Sequence, residues 1–196
     1  AADFEAAMNK AASTTEATAE ELERLKAVAL SPAIEKLGVD GIEAAGAIEE
    51  LGGAGLSTAQ ILDGALQPTL NLARAVGTDV ATAAEVAAAS LKSFGLEAKD
   101  LPGVTDAITN AVNGTSVKMG DFAQALAQGG SVAQSSGLSF NEFTATISLM
   151  TDRAISASDA ETSLKTFLQA LTPNSKQASS VRPIFQLPKI TAASAR

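Results

Sequence analysis

The 196-residue chain contains no histidine, cysteine, tryptophan or tyrosine, and its aromatic content is seven phenylalanines. Without imidazole or thiol there is no His general base, no thiolate nucleophile, no structural zinc cluster and no disulfide framework. A Ser–His–Asp or Cys–His enzyme is excluded; carboxylate chemistry, a Ser–Lys pair and an oxygen-only metal site stay open. No apolar run approaches the roughly 18 residues that a membrane-spanning helix needs. The opening AADFEAAMNK is acidic and lacks a basic n-region and an apolar h-region, so it does not read as a secretory leader. It also lacks an initiator Met, which suggests a processed chain or a piece of something longer.

What the chain does contain is alanine, 41 residues of it. A core of Ala, Leu, Val and Ile with few rings fills space only if its elements approach closely, which favours small-residue helix contacts over a sheet with bulky side chains. The length allows one domain with a small tail. The net charge is −8, and the whole imbalance lies in residues 1–63, which hold twelve acids and four bases. Such a surface repels a phosphate backbone, so neither general duplex binding nor sequence-specific nucleic-acid recognition is expected. After Glu161 the sign reverses: the chain has no further acid, only Lys165, Lys176, Arg182, Lys189 and Arg196. That end reads as a solvated basic tail that can meet an anionic partner.

Start and stop signals predict a series of short helices. Thr18 with Glu21 forms a capping box before Leu22, Leu25, Val28 and Ala29, giving a helix over 19–30, and a short turn follows Pro32 and stops at Gly38. Asp40 caps a helix with Ile42, Ala45, Ile48 and Leu51 on one face, which Gly52, Gly53 and Gly55 end. Ser57 with Gln60 opens the next, with a kink or restart expected near Gln67 because Pro68 lacks an N–H. It continues to about Val76. Val80, Ala83, Ala84, Ala87, Ala88, Leu91 and Phe94 form an apolar stripe closed by Gly95. Asp100 and Pro102 start a helix ending at Asn113–Gly114, and Ser116 starts one ending at Gly129–Gly130, with 131–137 as one short turn. Ser139 with Glu142 precedes Phe143, Ile147 and Met150. Ser158 with Glu161 precedes Leu164, Phe167, Leu168 and Leu171, before Pro173. The fold class is therefore all-α: about eight short amphipathic Ala-rich helices joined by Gly-containing turns, with an irregular tail. The expected division is a helical domain over 1–173 and an extended or irregular basic tail over 174–196.

Candidate chemistry is sparse. Glu20, Glu21 and Glu23 sit where a helix N-terminus favours negative charge, and Glu49–Glu50 lie near a helix end; both groups read as solvated faces rather than as acid–base pairs. No window has EF-hand spacing, and no GxxxxGK[ST] or GxGxxG occurs, so the Gly pairs at 52–53 and 129–130 read as helix ends. Ser163/Lys165 and Ser90/Lys92 are two residues apart and point to different sides of a helix. Phe140, Phe143 and Phe167 read as core residues rather than as a base-stacking platform. No cofactor or metal is implied.

Two stretches recur. GLSTAQIL at 55–62 and GLSFNEFTATI at 137–147 share Gly-Leu-Ser followed, three residues after Ser, by Gln or Glu. From Gly129 to Pro173 the chain reads GGSVAQSSGLSFNEFTATISLMTDRAISASDAETSLKTFLQALTP. This resembles the core of phage tail tape-measure proteins: a Gly/Ala stretch, a G-[LMV]-S-x-x-E helix start, an apolar helix, a G-I-x-G-S-x-A-G-T-x-L segment and an L-x-x-P ending. Ala133, Gly137, Ser139 and Glu142 match the first half; Ile155, Ser158, Ala160, Thr162, Leu164, Leu171 and Pro173 match the second. Upstream, DFEAAMNKAASTTEATAEELERLKAVAL is similar to the family's opening, and LGGAGLSTAQIL, with Gly55, Ser57 and Gln60, to its L-A-x-A-G-[LM]-S-x-x-Q. Arg153, Ala157 and Glu161 stand where the family has Gly, which implies a wider turn or a more continuous helix there.

The resemblance implies a structural role without catalysis. Several copies, a trimer or hexamer, occupy the lumen or tip of a virion tail, set its length, meet tail-tube, baseplate or tip proteins and assembly chaperones in the host bacterial cytoplasm, and leave ahead of the DNA. A phage, a gene transfer agent or a prophage remnant all fit. The alternative is an unrelated soluble all-helical protein-interaction domain.

Overall fold

The computed structural model describes residues 2–152, and every regular element among them is helical. In chain order these are α1 (Ala2–Thr15), α2 (Ala19–Ala29), α3 (Pro32–Glu35), α4 (Gly41–Gly53), α5 (Thr58–Gln60), a π segment (Ile61–Ala65), α6 (Leu66–Val76), α7 (Val80–Phe94), a 3₁₀ turn (Ala98–Asp100), α8 (Leu101–Gly114), α9 (Met119–Ser135) and α10 (Phe140–Asp152). The all-α expectation holds. The expected helix at 158–171, with its capping box, and the tail at 174–196 lie outside the described residues.

The helices turn back on one another around one core that runs from Met8 to Ile147. α4 and α7 lie at its centre: α4 packs on α1, α6 and α7, and α7 packs also on α8 and α9. The α7 stripe is buried as its spacing predicts, Val80 alone being half-exposed. Hydroxyls inside this core have partners: Thr69 donates to the Ala65 carbonyl at 2.8 Å and Ser90 to that of Val86 at 2.7 Å. Each closes on the preceding turn, the usual solution for a buried hydroxyl on a helix.

Four expectations are corrected. α1 was not expected from the start and stop signals. It buries Met8, Ala11, Ala12 and Thr15, and its stop is carried by Glu16 at φ 55 rather than by a glycine. α9 does not end at Gly129–Gly130 but runs through them to Ser135, absorbing most of the expected 131–137 turn, and it starts at Met119 rather than at Ser116. Both glycines are buried, and a Cβ on Gly130 would lie 3.2 Å from the Ser93 Cβ of α7. The glycine lets two helix backbones approach. Ile42 is 49% exposed and so leaves the buried face of α4 that Ala45, Ile48 and Leu51 share.

The fourth correction concerns Pro68. The distortion lies not at Gln67 but earlier, in the π segment, where Gly64 takes φ 112. A proline ring clashes with the carbonyl four residues before it. For Pro68 that residue is Gly64, which absorbs the strain, so α6 passes through the proline as a regular helix.

Candidate functional site

The recurring Gly-Leu-Ser stretches form one structural unit, used twice. At the first, Gly55 is at φ 99, its N–H bonds the Gly52 carbonyl at 2.9 Å, and the Leu56 N–H bonds the Leu51 carbonyl at 3.0 Å. This closes α4 in a Schellman-type stop, and Leu56 tucks into the core. Ser57 then caps α5: its Oγ accepts from the Gln60 N–H at 3.3 Å, and Gln60 Oε1 accepts from the Ser57 N–H at 2.9 Å. At the second, Gly137 is at φ 88, its N–H bonds Gln134 at 2.9 Å, and the Leu138 N–H bonds the Ala133 carbonyl at 3.0 Å. Ser139 Oγ accepts from the Glu142 N–H at 3.3 Å, while a Glu142 carboxylate oxygen accepts from the Ser139 N–H at 2.8 Å and from its hydroxyl at 2.7 Å.

The unit is therefore a left-handed residue, an apolar staple and a cap two positions after the turn. The same order appears at Glu16–Ala17–Thr18 and Gly38–Val39–Asp40, and at Gly77–Thr78–Asp79 with a threonine in the staple position, so it is a recurring corner of this fold. The first Gly-Leu-Ser corner is also tied to α1, because the buried Thr58 hydroxyl donates to the Thr15 carbonyl at 2.9 Å across 43 residues of sequence. That bond satisfies one of the carbonyls that the end of α1 leaves without a helical partner.

Of the sequence-predicted positions, Gly55, Ser57 and Gln60 occupy one corner and Gly137, Ser139 and Glu142 the other. They are not brought together into one cleft. Ile155, Ser158, Ala160, Thr162, Leu164, Leu171 and Pro173 lie outside the described residues.

The carboxylates work on local structure. The Glu142 carboxyl is held below its ordinary value first by its hydrogen bond from the Ser139 backbone N–H and then by that from the Ser139 hydroxyl. Thr18 lowers Glu21 in the same order, and at Asp79 the Thr82 backbone N–H and then its hydroxyl do so. Glu49 pairs with Lys10 of α1 at 2.9 Å, which raises the lysine. Among the described residues no group of three or more acids gathers in metal-binding geometry, and no helix is long and apolar enough to cross a membrane.

Packing residues missed by the corner motif form the other feature of the site. Four phenylalanines from α7, α9 and α10 meet: Phe94 lies 5.3 Å from Phe140 and 5.4 Å from Phe143, and Phe122 lies 6.3 Å from each of the same two rings. Three of these contacts are near-perpendicular, the edge-to-face arrangement that ring quadrupoles favour. The second Gly-Leu-Ser corner delivers Phe140 and Phe143 to this cluster, which is what its position achieves. Between α8 and α10 runs an open groove of about 400 Å³ with Ala107, Ala111, Thr144 and Ala145 on its walls and Asp106 as its only titratable group. Its hydroxyls donate to carbonyls one turn back along the chain, Thr115 to Ala111, Thr144 to Phe140 and Ser148 to Thr144.

Comparison with known proteins places these features in a family. The family model described as phage-related minor tail protein matches residues 27–182. The chain is 37% identical over 174 residues to the tape measure protein of Pneumococcus phage Dp-1, covering 89% of the chain and 15% of that protein. No solved structure matches. With the family model spanning both Gly-Leu-Ser corners and the phenylalanine cluster, the chain belongs to the phage-related minor tail proteins.

Proposed function

We propose that the chain is a folded, non-catalytic structural domain of a phage-type tail, serving within a tape-measure protein during tail assembly. The observation that carries this reading is the 37% identity to a tape measure protein across 89% of the chain. That breadth does not favour the alternative of an unrelated interaction domain. Because the match spans only 15% of that relative, the role of a complete tape is proposed for the longer protein, and this chain is one compact part of it.

The geometry supports a body rather than a rod. One continuous helix of 196 residues would span roughly 290 Å at about 1.5 Å per residue. The described helices are instead short, α9 being the longest at 17 residues, and they fold back on one core. Motif residues serve the corners: Gly55 and Gly137 reverse the chain, and Ser57–Gln60 and Ser139–Glu142 restart it. In the particle we place several copies, as a trimer or hexamer, in the tail-tube lumen or at the tip, in contact with tube, baseplate or tip proteins and with assembly chaperones in the host bacterial cytoplasm. An acidic surface suits a lumen protein that must leave ahead of DNA, since it does not hold a polyanion. The reading covers a phage, a gene transfer agent or a prophage-encoded particle.

Quantitative mass spectrometry of purified tails before and after DNA ejection tests this. The expected result is peptides of this chain at three or six copies per tail, depleted after ejection. Tails that lack the peptides at both stages would contradict it.

A further inference from the structure

Charge is spread unevenly along the described residues: 2–100 hold 23 charged side chains, whereas 101–151 hold four. α8 carries one of these four, Asp106, in the middle of its exposed face. Pro102, Gly103, Asn110, Asn113 and Gly114 complete that face, and all are exposed. Open grooves flank it, one of about 400 Å³ toward α10 with Gly103, Asp106 and Asn110 on its wall, the other of about 480 Å³ toward α6 with Pro102 and Asp106. The outer face of α8 is therefore a ridge with room on both sides for the side chains of another helix. Its polar groups are not used by the fold: neither Asp106 nor Asn110 has a hydrogen bond or an ion pair among the described residues. A Cβ on Gly103 would meet no atom within 4 Å, so packing within the chain does not require a glycine inside this helix.

Asp106 and Asn110 are one helical turn apart and so lie side by side on the ridge. A carboxylate accepts and an amide donates, which makes the pair complementary to a copy of itself. Two chains laid antiparallel about a two-fold axis centred between these residues set each Asp106 against Asn110 of the other copy, giving two identical charge-assisted hydrogen bonds from one patch. The same crossing sets Gly103 against Asn113 and Pro102 against Gly114, a small residue opposite a larger one each time. Charge favours this face for such a contact. The twelve acids and four bases of residues 1–63 repel a second copy, whereas on α8 each copy brings one carboxylate and that carboxylate meets an amide donor. We propose that the exposed ridge of α8 is the interface for a second copy of this chain, an antiparallel two-fold contact held by reciprocal Asp106–Asn110 hydrogen bonds. It concerns the free chain and does not rest on the tail reading.

Sedimentation equilibrium of the full chain is the test, with the mass expected to rise with concentration from the 19.7 kDa of one chain to twice that value. Asn110→Asp sets carboxylate against carboxylate and should weaken the dimer by about tenfold or more. The double variant Asp106→Asn with Asn110→Asp puts an amide opposite each carboxylate again and should recover the dimer. Both positions are exposed, so far-ultraviolet circular dichroism should stay that of the parent chain in each variant. The absence of cysteine allows a check of register: Asp106→Cys chains mixed with Asn110→Cys chains should form disulfide-linked dimers under mild oxidant faster than either variant alone. The mass of a single chain at every concentration would overturn the proposal, as would an assembly of three or more chains with no dimer. So would a dimer that Asn110→Asp leaves as tight as the parent, a double variant that stays as weak as Asn110→Asp, or mixed cysteine variants that crosslink no faster than each alone.

Discussion

Where α1 lies along α4, the buried residues are Met8, Ala11, Ala12 and Thr15 on one helix and Ala44, Ala45, Ala47, Ile48 and Leu51 on the other; where α7, α9 and α10 meet, they include four phenylalanines. In the first contact the backbones come so close that a Cβ on Gly52 would lie 2.5 Å from the Thr15 methyl. In the second, rings fill a wider space, and one glycine, Gly130, allows α9 to approach α7. A chain with little aromatic mass thus concentrates most of its rings in one place and solves the rest of its core by proximity. The two regions should fail differently: the ring cluster by losing volume, the small-residue contact by gaining it.

The largest effect is expected from Phe143→Ala. Phe143 is fully buried and touches both Phe94 and Phe122, and truncating a buried phenylalanine typically costs about 3–5 kcal/mol. Since domains of this size are usually stable by only about 5–15 kcal/mol, the thermal midpoint followed by circular dichroism should fall steeply. An unchanged midpoint would show that the ring cluster is not core.

Next in size is Gly52→Ala, an overpacking change expected to cost about 1–3 kcal/mol. Thr15 cannot easily move aside, because its hydroxyl bonds the Ala11 carbonyl at 2.9 Å and its own carbonyl accepts from Thr58. Thr15→Ser removes the clashing methyl and keeps the hydroxyl, so the double variant should regain most of the loss in chemical denaturation. If Gly52→Ala is neutral by itself, the close α1–α4 approach is wrong.

A smaller contrast separates the adjacent glycines of α9. A Cβ at Gly129 meets only Phe143 Cε2, at an ordinary 3.6 Å, so Gly129→Ala should gain roughly the 0.5–1 kcal/mol of helix propensity. At Gly130 the Leu126 and Ser93 contacts at 3.0 and 3.2 Å offset that gain, and the variant should be less stable than Gly129→Ala. The reverse order in urea unfolding would remove the α7–α9 approach from the account.

The two Gly-Leu-Ser corners supply the smallest effect, one of pH. Glu142 has a folded-state pKa below its ordinary 4.5, so its contribution is present above that value and is lost as pH falls through the lowered one. Gln60, in the same place at the first corner, does not titrate. Glu142→Gln should therefore flatten part of the acid dependence of stability while leaving the helix content at neutral pH intact. An acid limb as steep as in the parent chain would show that the Ser139 cap contributes nothing to it.

How far the sequence reveals this structure depends on whether a signal is local. Capping boxes at Thr18, Ser57 and Ser139 appear where the spacing puts them, because both partners lie within four residues. The stripe of α7 is likewise legible from its period. α1 was hidden because its buried face is mostly alanine and its stop is a glutamate in the left-handed region. The Gly129–Gly130 pair misled for a different reason: a glycine needed for backbone approach between distant helices looks, in sequence, like one needed for a stop. Ile42 has the spacing of a core position, yet it stands 49% exposed at the start of α4, where its neighbour Gly41 lies under Leu30 and Phe4. At the site, the motif positions were legible as corners, but that the second corner carries Phe140 and Phe143 to Phe94 and Phe122 depends on contacts 18 to 49 residues apart in a fold that only the assembled helices define.

The central claim, a compact assembly domain rather than a length of ruler, is tested most directly by electron microscopy of particles whose gene for this chain lacks the codons for α8, residues 101–114. α8 packs on α6, α7 and α10, so its removal opens the core. A compact domain predicts the loss of assembled tails with no shortened population. Intact tails, uniformly shorter in proportion to the deleted residues, would contradict it.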